Sequence, residues 1–175
     1  DRQVLQKGRV HPISVLSALK IYEQGKGDRG SGTWTAARRV VSALNESFYN
    51  CYSNVESTGK RIRVALDTSA SMTHSGVLGM PYLTPRKLEA ALALVLLNSE
   101  KEVDLLGFSD FIVDLNDKIR PSTTIQEAMR IIGSFSPRNT FCSLPIKDAI
   151  SNHRDFDAFI SMTDSETSDN AGVSG

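Results

Sequence analysis

The chain has 175 residues, 40% of them hydrophobic and 23% charged, an ordinary globular composition that excludes a disordered or collagen-like chain. Twenty Lys and Arg balance twenty Asp and Glu, so overall charge does not mark a nucleic-acid or membrane-surface binder. The balance is uneven, however: residues 1–60 hold nine basic and five acidic side chains, a net of +4, and residues 61–175 hold eleven and fifteen, a net of −4.

In chain order, VHPISVLSALKIYE at 10–23 places Val15, Leu16, Leu19 and Tyr22 at helical spacing behind Pro12, and predicts a helix. The Gly-rich GKGDRGSGT at 25–33 predicts a loop. Thr35 is the expected cap of a second helix, whose apolar face runs through Ala37, Val40, Val41, Leu44, Phe48, Cys51, Tyr52 and Val55. From residue 61 the pattern changes. RIRVAL predicts a strand running into Asp67, and Thr84-Pro85 opens a helix to about Asn98. Strands follow at 103–109 and 111–115. A capping box of Thr124 and Glu127 precedes a helix over 125–134, and another helix runs from Ser143 to about Asn152. FDAFISMTD at 156–164 is a further strand, again ending on an aspartate. Strands alternating with helices predict an α/β fold with a doubly wound, mostly parallel sheet. Ligands of such sheets sit beyond the carboxyl ends of the strands, where Asp67 and Asp164 fall.

Cys51 and Cys142 form no CxxC and no disulfide framework, so a reducing compartment is expected: the cytoplasm, with the nucleus as a second location. The longest purely apolar run, AALALVLL at 90–97, is far shorter than the roughly 20 residues that span a bilayer. The chain begins without Met and ends in a loop-like tail, which suggests a fragment of a longer protein.

The stretch VALDTSASM at 64–72 carries the most chemistry. A buried strand ends on Asp67, and hydroxyls follow at alternate positions, Ser69 and Ser71. Residues two apart in an extended segment face the same side. One turn therefore offers three hard oxygens to a hard cation such as Mg²⁺. Thr140, before a helix, and Asp164, after the next buried strand, extend the set. Enzymatic patterns are weaker. There is no GxSxG, no GxxxxGK[ST] and no HExxH among His11, His74 and His153. A haloacid-dehalogenase-type phosphatase would need a second aspartate where Ser69 stands. His74 lies near enough to Ser71 in sequence to be weighed as a base, on a polar loop.

Taken together, D-x-S-x-S … T … D resembles the metal-ion-dependent adhesion site of the von Willebrand factor type A fold. The resemblance implies that Ser69, Ser71 and Thr140 reach a divalent cation, Mg²⁺ foremost. Asp67 and Asp164 then act directly or through water. It also implies an open position for an acidic group of a protein ligand.

The likeness extends further. The stretches at 7–30 with Trp34, and at 56–72, 107–110, 142–145 and 163–167, resemble the SS-A/Ro ribonucleoproteins, the TROVE family. That resemblance implies an α-helical, HEAT-like segment at 1–60, the end of a helical-repeat domain. A type A domain, incomplete at the C-terminus, follows at 61–175. It implies a binding protein without catalysis, whose partners are small non-coding Y RNAs and misfolded RNAs. Lys7, Arg9, His11, Lys26 and Arg29 are the cations to watch for RNA phosphate contact. A type A adhesion or assembly module without RNA, and a metal-dependent hydrolase, are the alternatives. The chain departs from the family at Phe141, where an acid commonly follows the metal-site threonine. PRN at 137–139 replaces the preceding glycines.

Overall fold

The computed structural model describes residues 2–27, 30–74, 76–135, 139–164 and 168. Contacts divide it into two units, one of residues 1–56 and 76–83, the other of residues 57–75 and 84–175.

The first unit is helical. It contains α1 (Arg2–Lys7), α2 (Pro12–Glu23) and α3 (Arg38–Asn50), with a 3₁₀ turn at Tyr52–Asn54. α2 begins where expected: His11 Nδ1 accepts from the Ile13 amide, and Pro12 fills the first turn. Val15, Leu16 and Leu19 of α2 and Phe48, Cys51 and Tyr52 of the α3 end are buried. The expected cap at Thr35 is not made. α3 starts after Ala37, with no side-chain cap. Tyr22 explains the delay: its hydroxyl accepts from the Ala37 amide at 3.2 Å, and its carbonyl accepts from the Trp34 indole at 2.8 Å. Those bonds hold residues 34–37 outside the helix.

The second unit is a four-stranded sheet flanked by helices. Its elements are β1 (Arg61–Asp67), α4 (Pro85–Ser99), β2 (Glu102–Phe108), β3 (Ile112–Asp114), α5 (Ile125–Ile132), α6 (Leu144–Ser151) and β4 (Ala158–Met162). The strand order is β3-β2-β1-β4. β1 runs parallel to both β2 and β4, and only β3 is antiparallel. β1 is buried from Ile62 to Asp67, as a strand covered on both faces must be. Side chains alternate between faces, so Ile62, Val64 and Leu66 share one face, while Arg63, Ala65 and Asp67 share the other. On that second face Ala65 packs with Leu106 and Phe108.

α4 is capped as predicted, with Thr84 Oγ1 accepting from the Lys87 amide at 3.2 Å. At α5 the Thr124 hydroxyl accepts from the Glu127 amide at 3.2 Å. β4 ends at Met162 rather than at Asp164, so that aspartate lies two residues past the strand. No helix among the described residues is long and apolar enough to cross a membrane.

Candidate metal centre

The chain leaves β1 in one direction toward β2 and is flanked on the other side by β4. This reversal of strand order puts the topological switch point, where ligands of such sheets bind, at the carboxyl ends of β1 and β4. Asp67 ends β1 there, fully buried. Its Oδ1 accepts from the Ser69 amide at 2.8 Å, and its Oδ2 accepts from the Thr163 hydroxyl at 2.8 Å. The carboxylate is thus aimed by its own loop and by the residue just after β4. Ser69 Oγ and Ser71 Oγ lie 3.0 Å apart. Three of the five expected ligands are therefore joined by direct contacts in one turn.

Thr140 and Asp164 come to the same edge by connectivity. Leu66 pairs with Met162 in parallel register, and Thr163, next to Asp164, bonds the Asp67 carboxylate. Thr140 is buried, and the next residue, Phe141, donates its amide to the Ser109 carbonyl at 3.0 Å. Ser109 follows β2 directly, and Phe108 is the partner of Asp67. The Thr140 carbonyl accepts from the Ser168 amide at 2.6 Å. No three His, Cys, Asp or Glu side chains cluster among the described residues. The expected donor set differs in kind: two carboxylates and three hydroxyls.

A close approach fixes the loop against β2. Thr68 donates both its amide, at 3.0 Å, and its hydroxyl, at 3.2 Å, to the Phe108 carbonyl. Its methyl would lie 2.9 Å from a Cβ on Gly107, so a side chain there would push the loop or Thr68 aside.

Beneath the loop lies a pair that the sequence reading did not single out. Arg86, in the first turn of α4, is buried. Its Nη1 donates to the Asp67 carbonyl at 2.8 Å and to Glu89 Oε1 at 2.9 Å, and its Nη2 donates to the Ser69 carbonyl at 2.6 Å. Burial pushes the Glu89 carboxyl well above the usual range; the Arg86 guanidinium opposes this, and the negative charge of Asp67 adds to it. Arg86 Nε and Glu89 Oε2 are buried without a hydrogen-bond partner. The signal for the pair was two charged residues at i, i+3 in a helix otherwise apolar on most sides.

His74 is exposed, and its Nδ1 lies 3.5 Å from the Thr73 hydroxyl. The candidate RNA cations lie in the helical unit. Lys7 and Arg9 are exposed beside the α1–α2 junction, with Arg9 in a left-handed conformation, φ 46°. His11 is exposed, and its ring serves as the α2 cap. Lys26 is exposed in a separate loop, bridged to Thr33. Arg29 lies outside the described residues.

The sheet order, the loop after β1 and the site at the switch point define an α/β domain of the von Willebrand factor type A kind. The family model described as the Ro60 vWA domain matches residues 61–172. The chain is 40% identical over 167 residues to the RNA-binding protein RO60 of Deinococcus radiodurans, covering 95% of this chain and 31% of that protein. It is 36% identical over 167 residues to the RNA-binding protein RO60 of Caenorhabditis elegans, covering 95% and 25%. The crystal structure of the Deinococcus radiodurans RO (RSR) protein superposes with a TM-score of 0.88 at 40% identity, over 95% of this chain and 33% of that one. This chain belongs to the Ro60 family, and it spans a third or less of the length of these relatives.

Proposed function

We propose that the chain is part of an RNA-binding protein of the Ro kind, which holds small non-coding Y RNAs and misfolded RNAs. It acts by binding rather than by turnover, in the cytoplasm and also the nucleus. The α/β unit adds a divalent-cation site made of Asp67, Ser69, Ser71, Thr140 and Asp164. The RNA reading is supported by the two relatives named as RNA-binding proteins, at 40% and 36% identity.

The single observation that carries the cation reading is the pair of serine hydroxyls beside a buried carboxylate. Mg²⁺ holds oxygens at about 2.0–2.1 Å in an octahedron, so neighbouring ligands stand about 2.9–3.0 Å apart. Ser69 Oγ and Ser71 Oγ are hydrogen-bonded to each other at 3.0 Å, so the two hydroxyls already stand near that spacing. Both hydroxyls are neutral, so a bound cation stays electrophilic and offers a position to an acidic group of a protein ligand.

RNA affinity of the full-length protein, measured at several salt concentrations, tests the first part. The expected slope falls by about one unit for each phosphate-contacting Lys7, Arg9 or Lys26 replaced by Glu. A full-length protein without RNA affinity at physiological salt would refute it.

A further inference from the structure

We infer that Arg86 is a positioning residue for the cation loop, its guanidinium fixing the carbonyls of Asp67 and Ser69 so that both serine hydroxyls stay clustered beside the Asp67 carboxylate. The inference rests on the cation reading above and adds a residue outside the ligand set. Three bonds support it: 2.8 Å to the Asp67 carbonyl, 2.6 Å to the Ser69 carbonyl and 2.9 Å to Glu89. The first two tie the 67–68 and 69–70 peptide planes to α4. Ser69 itself is held extended, at φ −64° and ψ 151°. The chain then turns into a 3₁₀ helix at Ala70–Thr73, so Ser71 reaches the Ser69 hydroxyl through that turn rather than through the extended alternation the spacing suggested. Glu89, one helical turn along α4, accepts from the same Nη1 that holds the Asp67 carbonyl and so steadies the guanidinium. The pair is also incompletely satisfied, since Arg86 Nε and Glu89 Oε2 lack partners. Apolar residues of similar volume would often serve stability as well or better in such a place. An under-bonded buried pair therefore needs another reason to be there, and the bonds to the loop supply it.

The test uses the full-length protein with Arg86→Lys and Arg86→Met. Two quantities are read: Mg²⁺ affinity by calorimetry, and hydrogen exchange of the Ser69 amide without metal. The expected result is Mg²⁺ binding at least tenfold weaker in Arg86→Met, with a smaller loss in Arg86→Lys. Ser69 exchange should quicken in both while the β1 amides of Val64 and Leu66 keep their rates. If Arg86→Met does not fold, Arg86→Lys decides on the same readings. Unchanged Mg²⁺ affinity in a folded variant overturns the inference. So does faster exchange throughout β1, which would mean a merely structural role. If the wild type takes up no Mg²⁺, the cation reading is what fails, and Ser69 exchange alone then judges the clamp.

Discussion

Asp104 should be one of the most costly surface-independent positions in the α/β unit. It is 8% exposed, and it faces Arg63, which is 1% exposed on the neighbouring strand. Its Oδ2 accepts from Arg63 Nε at 2.7 Å; its Oδ1 accepts from Arg154 Nη2 at 2.7 Å and from Asn116 Nδ2 at 3.1 Å. Arg63 also donates to Asp148 at 2.7 Å and to the Pro145 carbonyl at 2.9 Å, and it stacks 4.6 Å over the Phe156 ring. Asp104→Asn leaves a buried guanidinium with half its compensation. Breaking such a pair costs about 3–5 kcal/mol, and the surviving Asp148 bond points to the lower end, about 3 kcal/mol. That corresponds to roughly 100-fold faster exchange of the β1 and β2 core amides in the full-length protein, where global opening governs exchange. A rise below about tenfold would refute the reasoning. The control is Asp117→Asn, which removes a solvent-exposed ion pair to Arg120 and should leave the rates unchanged.

The same carboxylate makes a pH prediction. Burial pushes Asp104 upward, but the hydrogen bonds from Arg154, Asn116 and Arg63, with the Arg63 charge, outweigh it and hold the carboxyl below its usual range. A depressed carboxyl contributes stability above its unfolded value, about 3.9, and that stability is lost as pH falls through the folded value. Acid unfolding of Asp104→Asn should therefore be less steep below about pH 4 than that of wild type. Gly107→Ala should cost about 1–3 kcal/mol by denaturant titration, because its Cβ would meet the Thr68 methyl at 2.9 Å. Thr84→Ala should cost about 1 kcal/mol through the lost cap of α4, and Thr84→Ser should recover most of it.

The parts of this fold written in local pattern were legible. A strand ending on Asp67, a capped helix at Thr84-Pro85 and alternating strands and helices all follow from periodicity and turn chemistry. The parts set by tertiary contact were not. Nothing in RIRV tells its two arginines apart, yet only Arg61 is exposed; Arg63 is buried because Asp104 and Asp148 lie across from it. α1 escaped notice because Val4 and Leu5 alone carry its apolar signal, and none of its residues is buried. Thr35 was a reasonable cap by residue type, but the Tyr22 hydroxyl took the Ala37 amide from another helix. At the candidate centre, spacing identified Asp67, Ser69 and Ser71. Thr163, which aims the Asp67 carboxylate, was visible only as the neighbour of Asp164.

Calorimetric titration of Mg²⁺ into the full-length protein, wild type against Ser69→Ala/Ser71→Ala, tests the account most directly when RNA is titrated into the same two samples. The prediction is that the double variant loses Mg²⁺ binding and keeps wild-type RNA affinity, since the proposed reading assigns the cation to the loop after β1 and the RNA to other surfaces. Mg²⁺ binding that survives loss of both hydroxyls would contradict it, and would leave the aspartate-serine turn as a well-braced end to a buried strand.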